Sequence, residues 1–307
     1  MKILITGSAG FIGFSYANYL CKNYKNIQVV GIDNINTYYS KKYKTKRLNY
    51  LKKYSNFTFK KLDLNNSKSL DLIFKKFKFD IVYNFAAQAG VRFSILEPKK
   101  YIDSNVVGYF NILELVKKYK VKKLFYASSS SIYGEQRIFP TKETSQIQPS
   151  NVYSLSKNFN ESLTHIYSKL NKINAVGLRF FTVYGKWGRP DMFLFKLFSS
   201  IINKQTFYLN NSGNHLRDFT YIEDVNIILD RLRKKNILKK HVIFNICSGE
   251  TINIKNIVKH FKKFHKVKIK NVSKHSADLL KTHGSNKKLL KYIGNFKFQR
   301  LKNVIGL

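Results

Sequence analysis

Residues 2–13 read "KILITGSAGFIG". "KILIT" (2–6) is an apolar run that stops at Gly7, and "GFIGFSYANYLCKN" (10–23) carries apolar residues at helical spacing. Gly7, Gly10 and Gly13 fall between and just inside these two elements. A continuous apolar run, unlike an alternating one, marks a strand covered on both faces, as in a parallel sheet. The same rhythm recurs outward from this stretch. "IQVVGID" (27–33), "FTFKKLD" (57–63), "FDIVYNFAA" (79–87) and "VKKLFYAS" (121–128) read as strands. Helical patterns lie between them at about 37–53, 66–77 and 100–118. The fold class is therefore α/β, a doubly wound parallel sheet with helices on both faces.

After about residue 180 the rhythm breaks. "RDFTYI" (217–222) and "HVIFNI" (241–246) mix with helices near 191–203, 224–235 and 253–264, which predicts a smaller C-terminal α/β lobe. The division expected is residues 1–180 for cofactor and catalysis and 181–307 mainly for substrate, the second part interleaved with the first. Open α/β sheets bind ligands beyond the carboxyl ends of their strands, so the lobe is expected to close a cleft there.

The composition is that of a folded domain, 44% hydrophobic and 24% charged, yet 56 Lys and Arg face 17 Asp and Glu, a net charge of +39. The basic residues are spread along the chain as "KK" pairs and no zinc spacing or nucleic-acid signature accompanies them. Drift in composition explains this, with weak, sequence-indifferent nucleic-acid contact as its only expected consequence. The apolar run in "MKILITGSAG" is too short for a signal-peptide core and nothing later reaches membrane length. Cys21 and Cys247 stand in no metal or redox spacing, and the seven histidines form no ligand pattern. A cytosolic protein with no metal and no membrane partner is expected.

Between strand and helix the glycines have distinct work. Gly7 permits the tight turn, Gly10 lets a pyrophosphate approach the helix N-terminus, and Gly13 allows close helix–strand packing. Asp33 ends the next strand, placed to accept from the adenosine ribose hydroxyls and to repel a 2′-phosphate. NAD is thereby favoured over NADP. Asp63, after the third strand, either approaches the adenine edge or caps a helix.

"YSLSK" puts Tyr153 and Lys157 on one face of a helix, and "SSSS" (128–131) ends the fifth strand. A lysine ammonium beside a phenol lowers the phenol's pKa and makes it a general base. Ser129 is placed to hydrogen-bond the same substrate hydroxyl.

"TGSAGFIG", "NFAAQAGVR", "YASSSSIYG", "YSLSK" and "RDFTYIEDV" together resemble the extended short-chain dehydrogenase/reductases of the NAD-dependent epimerase/dehydratase family. "GIDNINTYYSKKYKTKRL" and "LRFFTVYGKWGRPDM" resemble one branch, the UDP-glucuronate 4-epimerases. The resemblance implies a Rossmann-type domain with a small substrate lobe, and a homodimer built on helices near 100–118 and 151–170. It also implies an NAD contact set of Gly7, Gly10, Phe11, Ile12, Gly13, Asp33, Asn34, Asp63, Leu64, Ala86, Ala87, Tyr153 and Lys157. On the substrate side it implies Arg92, Ser129, Ser130, Thr182, Arg189, Arg217 and Asp278, with Thr182 near the sugar, Arg217 near the diphosphate and Asp278 near the uridine ribose.

Ser130 and Ser131 stand where family dehydratases carry an Asp–Glu pair, and Ser131 where the decarboxylases carry Glu. Hydride removal and return at C4 is the chemistry left, so the expected activity is NAD-dependent epimerisation of a UDP-sugar, UDP-glucuronate first. Arg189, set between Gly188 and Pro190, would grip the C6 carboxylate with a planar fork while Trp187 supplies an apolar wall. Its simpler alternative is a pair with Asp191. Two departures stand out: Lys186 replaces the branch's proline, expected to loosen this loop, and "HSADLLKTHGSN" (275–286) keeps little beyond Asp278, with the chain ending soon after at "RLKNVIGL". A neutral UDP-hexose 4-epimerase, and a catalytically reduced NAD- or polyanion-binding protein, remain as alternatives.

Overall fold

The computed structural model of the chain describes residues 1–236 and 240–305. Its first half runs β1 (Lys2–Thr6), α1 (Phe11–Asn23), β2 (Gln28–Asp33), α2 (Lys41–Leu51), β3 (Phe57–Lys61), α3 (Ser67–Phe77) and β4 (Ile81–Asn84). Short turns α4 (Phe93–Leu96) and α5 (Pro98–Tyr101) pass through a π-helical stretch, Ile102–Val107, into α6 (Gly108–Lys118). Then come β5 (Lys123–Ser129), α7 (Val152–Asn171) and β6 (Ala175–Phe180). The second half holds β7 (Thr182–Tyr184), α8 (Phe193–Ile202), β8 (Phe207–Asn210), β9 (Leu216–Tyr221), α9 (Ile222–Lys234) and β10 (His241–Ile246). It closes with β11 (Thr251–Asn253), α10 (Ile254–Phe264), β12 (Ile269–Val272), β13 (Lys281–Thr282), α11 (Lys287–Ile293) and α12 (Leu301–Val304).

Seven strands pair in the order β10-β6-β5-β4-β1-β2-β3, every pair parallel. The apolar run of β1 is continuous because both faces are covered. Ile3 and Ile5 enter one core with Phe14 of α1 and Leu229 of α9, while Leu4 enters the other with Leu70, Phe74 and Ile112. Each such side chain, fully buried, contributes about 1.5–3 kcal/mol. This is a Rossmann-type sheet. Its β1–β4 switch places the cleft at the carboxyl ends of the strands.

Two expectations need correction. "HVIFNI", read as a strand of the smaller lobe, is β10 and extends the main sheet beside β6, while α9 packs its apolar side against α1. The interleaving is therefore deep, and both elements serve the first core because their apolar residues match it. The helix expected over 37–53 starts only at Lys41. Asx turns hold the residues before it in an irregular path: Asn36 N–H donates to Asn34 Oδ1 (3.1 Å) and Tyr38 N–H to Asn36 Oδ1 (3.3 Å). These local bonds outcompete helical ones.

The remaining strands form small sheets, β11-β9-β13 with β7, and β8 with β12. Leu194, Leu197, Phe207, Phe219, Ile257 and Phe261 make a separate core under α8 and α10.

Candidate functional site

Between the main sheet and this outer layer lies a cavity of about 1240 Å³, and the residues expected to contact NAD, to catalyse and to contact the substrate line it, Trp187 excepted. At one end Gly7 has φ +69°, and a Cβ there would meet Ala86 N at 2.7 Å; a Cβ on Gly13 would meet Gly7 O. Gly10 is the N-cap of α1 and offers no side chain to its first-turn N–H groups. Phe11 and Ile12 follow on that turn, with Leu64, Ala86 and Ala87 opposite. A bare helix terminus in a cradle that side chains would fill fits a dinucleotide pyrophosphate.

Asp33 is buried at the end of β2, where Oδ2 accepts from Ala9 N–H (3.1 Å) and Oδ1 from Ile35 N–H (2.7 Å). Asp63 accepts from Asn34 Nδ2 (2.7 Å) and from Asn65 N–H (2.9 Å). It does not cap the next helix: Asn66 does, through Ser69 N–H.

The catalytic candidates meet in mid-cleft. Asn151 and Ser154 form a capping box that starts α7, so Tyr153 lies in its first turn and Lys157 one turn on. Lys157 is 2% exposed, donates from Nζ to the Ala127 carbonyl (2.8 Å) and lies 6.0 Å from the Tyr153 ring centre. Burial lowers its pKa to about 8. Tyr153 stands above the ordinary tyrosine value because burial outweighs the downward pull of Ser129 and Arg189. In the ligand-free protein the ammonium of Lys157 is hooked onto β5, and Arg189 is the cation that pulls on the phenol. Ser131 Oγ donates to Ser129 Oγ (2.9 Å), and Ser130 follows on the same turn.

Behind this group, Ser128 Oγ donates to Glu161 Oε1 (2.6 Å). Glu161 is held by Arg179 through Nε (2.9 Å) and Nη2 (2.7 Å), both side chains almost fully buried. Arg179 also donates to Tyr133 Oη (2.8 Å). One network therefore ties α7, β5 and β6 together.

At the other end Thr182 opens the loop that carries Arg189. The guanidinium does pair with Asp191, Nε to Oδ1 at 3.0 Å and Nη2 to Oδ2 at 2.6 Å. Tyr38, a cleft residue the sequence reading passed over, donates to the same carboxylate (3.1 Å). Trp187 walls no part of the cleft; its ring packs on Phe14 (5.3 Å between centres) and Tyr50 (6.4 Å). Nor is the loop loose beside Lys186, because Arg47 Nη2 binds the Trp187 and Gly188 carbonyls at 2.5 and 3.2 Å.

Arg92 and Asp278, expected as separate substrate contacts, grip each other: Nε to Oδ1 at 3.1 Å, Nη2 to Oδ2 at 2.6 Å. Arg217 donates to the carbonyls of Leu216, Leu279 and Leu280. With β13 paired on β9, these bonds build the C-terminal wall that the divergent "HSADLLKTHGSN" had put in question. The last two residues of "RLKNVIGL" lie outside the described ones. Phe193, Lys196, Phe207 and His215 complete this end, on elements whose sequence carries no motif.

Among the described residues no helix is long and apolar enough to cross a membrane, and no cluster of three His, Cys, Asp or Glu is placed to hold a metal.

Comparison with known proteins gives consistent matches. Residues 3–247 match the model of the NAD dependent epimerase/dehydratase family. Protein CapI of Staphylococcus aureus is 48% identical over 236 residues, 76% of this chain and 70% of that protein. A UDP-glucuronate 4-epimerase of Thermodesulfobacterium geofontis is 41% identical over 223 residues, covering 72% and 68%. Among solved structures, UDP-glucuronic acid 4-epimerase from Bacillus cereus, in complex with UDP-glucuronic acid and NAD, superposes with a TM-score of 0.93 at 29% identity. That match covers 99% of this chain and 96% of that one.

Proposed function

Since this chain belongs to the NAD-dependent epimerase/dehydratase family, an NAD-dependent enzyme on a Rossmann-type fold, we propose that it inverts C4 of a UDP-sugar. The substrate we assign is UDP-glucuronate, giving UDP-galacturonate through a transient 4-keto sugar. NAD, when bound, would supply the hydride acceptor and donor at C4, the keto sugar turning over in the cleft between the two transfers. Gly7, Gly10 and Gly13 hold its pyrophosphate and Asp33 its adenosine ribose. Tyr153 takes the proton of the 4-hydroxyl and gives it back, Ser129 orients that hydroxyl, and Lys157 fixes the surroundings of Tyr153. Thr182 and Arg189 take the sugar carboxylate, with Arg217 and Asp278 on the nucleotide side.

The observation that carries this reading is the placing of carboxylates. Among the described residues lining the cleft only Asp33, Asp63, Asp191 and Asp278 are acids. The first two sit at the cofactor end, Asp191 is held by Arg189, and Asp278 by Arg92. None stands by Ser129–Ser131 to eliminate water, so hydride transfer and proton exchange at C4 are what the site supports. The named relatives lend weight to the choice of a uronic acid substrate.

Incubation with UDP-glucuronate, UDP-glucose and UDP-galactose, products resolved by NMR, tests the proposal. UDP-galacturonate is expected. Loss of water or carbon dioxide overturns it, and turnover of the neutral sugars alone favours a UDP-hexose epimerase.

We further assign a homodimer. Phe110 on α6 and Leu155, Phe159, Ile166 and Leu170 on α7 expose apolar side chains, 72% for Leu170, along two helices that pack side by side. Residues 1–180 are assigned to cofactor binding and catalysis and those from 181 onward mainly to the nucleotide sugar. Buried free thiols at Cys21 and Cys247 suit a reducing compartment such as the cytosol.

A further inference from the structure

Among the described residues Arg47 is one of the largest fully buried side chains, 0% exposed, and it forms no salt bridge with a carboxylate. Nη1 donates to the Ala9 carbonyl (2.9 Å), inside the glycine turn, and to Tyr39 Oη (2.7 Å). Nη2 donates to the carbonyls of Trp187 and Gly188, immediately before Arg189. One guanidinium therefore joins the loop that cradles the dinucleotide to the loop that aims Arg189.

Two features show that this arrangement is costly in itself. Nε of Arg47 is buried without a partner, a loss of about 1–3 kcal/mol for such a group. Trp187, a bulky residue, is held at φ +63°, where side chains clash with their own backbone. A purely structural role is served more cheaply by an apolar side chain, since among the described residues no carboxylate forms a salt bridge with this buried charge. What an apolar residue cannot do is hold carbonyls of two loops in one rigid plane.

We propose that Arg47 is a positioning residue that couples cofactor binding to nucleotide-sugar binding. It rests on the reading of the cleft given above, in which Arg189 meets the sugar carboxylate. A dinucleotide seated on the glycine turn fixes the Ala9 peptide and with it one edge of the guanidinium. The other edge then holds Trp187 and Gly188 so that Arg189 meets the substrate already oriented. Coupling of this kind is reciprocal, and typical values change affinity about 5–150-fold.

The test begins from the NAD-loaded enzyme. The dissociation constant of NAD is measured by equilibrium dialysis with and without saturating UDP-glucuronate, and again with saturating UDP. In the unaltered protein the nucleotide sugar should tighten NAD at least about fivefold. In Arg47→Met the two constants should agree within about twofold. Arg47→Lys keeps a buried cation but reaches only one loop, so it carries the test if Arg47→Met does not fold, with the same loss expected. A merely structural residue would lower the melting temperature and both affinities together and leave their ratio intact; that result overturns the proposal. So does an unaltered protein that shows no coupling. UDP, which has no carboxylate for Arg189, should tighten NAD less than UDP-glucuronate does; an equal or larger effect of UDP takes Arg189 off the route and overturns the proposal, while the identity of the sugar is read separately from turnover.

Discussion

Arg189 and Asp191 share two parallel hydrogen bonds inside the cleft, and Tyr38 donates a third to the same carboxylate. A substrate carboxylate seeking the same edge of the fork must displace Asp191 or approach the guanidinium from its other side. Removing Arg189 therefore has two consequences that one variant cannot separate. Arg189→Leu should weaken turnover of UDP-glucuronate by about 2–5 kcal/mol, the range for truncating one partner of a charge pair, and affect a neutral UDP-hexose far less. It should also destabilise the fold by about 1–3 kcal/mol, because Asp191 loses its counter-ion and keeps only the hydrogen bond from Tyr38. The double variant Arg189→Leu/Asp191→Leu should recover that stability without recovering turnover. Equal losses for both sugars would make Arg189 structural.

Glu161 on α7 and Arg179 on β6 sit at 5% and 3% exposure. Glu161→Gln keeps the shape and removes the charge, which leaves a buried guanidinium without an anion. Breaking one side of such a pair costs about 3–5 kcal/mol. Urea unfolding should show a loss of that order. A change below about 1 kcal/mol would mean that Tyr133 and the Glu143 carbonyl, which also accept from Arg179, satisfy it alone.

The parallel sheet was legible in the sequence because two-sided burial makes β1, β2 and β4 continuous apolar runs, and the glycine turn locates the first of them. Helix starts were less so. Nothing in periodicity shows that Asn34 and Asn36 hold residues 34–40 in turns, or that Ile102–Val107 winds as a π-helix. Within the site, the residues picked out by motif and spacing, Tyr153, Lys157, Ser129 and the glycines, come together along one cleft. Contacts between residues distant in the chain were not legible. Arg92 and Asp278 are separated by 186 residues, and neither local context hints that each is the other's counter-ion. Arg47 lies in a Lys-rich helix where one more cation reads as surface, yet it is fully buried and Lys44 nearly so.

Tyr153→Phe removes the hydroxyl and almost no volume. Turnover should fall about 10²–10⁴-fold while UDP-sugar binding, followed by calorimetry, stays within a few-fold. In the ligand-free protein burial holds this phenol above the usual tyrosine value, while Ser129 and Arg189 pull it down. A near-normal rate in the variant would assign the base elsewhere.

Lys157 gives the last prediction, and its sign follows from burial alone. The folded protein holds this lysine at about 8 against 10.5 for the free side chain, because a 2% exposed ammonium has lost its water and donates to the Ala127 carbonyl without a counter-ion. Between those values the unfolded chain binds the extra proton, so this residue makes stability rise with pH there. Below pH 8 the lysine is charged in both states and the full penalty of burying it is present, on the order of 3 kcal/mol. Lys157→Met removes the penalty along with the charge. In cofactor-stripped protein the variant should therefore be more stable than the parent at pH 7, and its advantage should shrink as pH rises toward 10. Other titrating groups are common to both proteins and cancel in the difference, and a lost hydrogen bond to Ala127 shifts it by a constant. Urea unfolding of both proteins at several pH values gives the slope. A difference that is flat across pH 7–10, or that grows in favour of the variant, would show that Lys157 keeps its proton in the folded state. Turnover should be lost in the variant at every pH, since a methionine cannot hold the β5 carbonyl that fixes this helix face beside Tyr153.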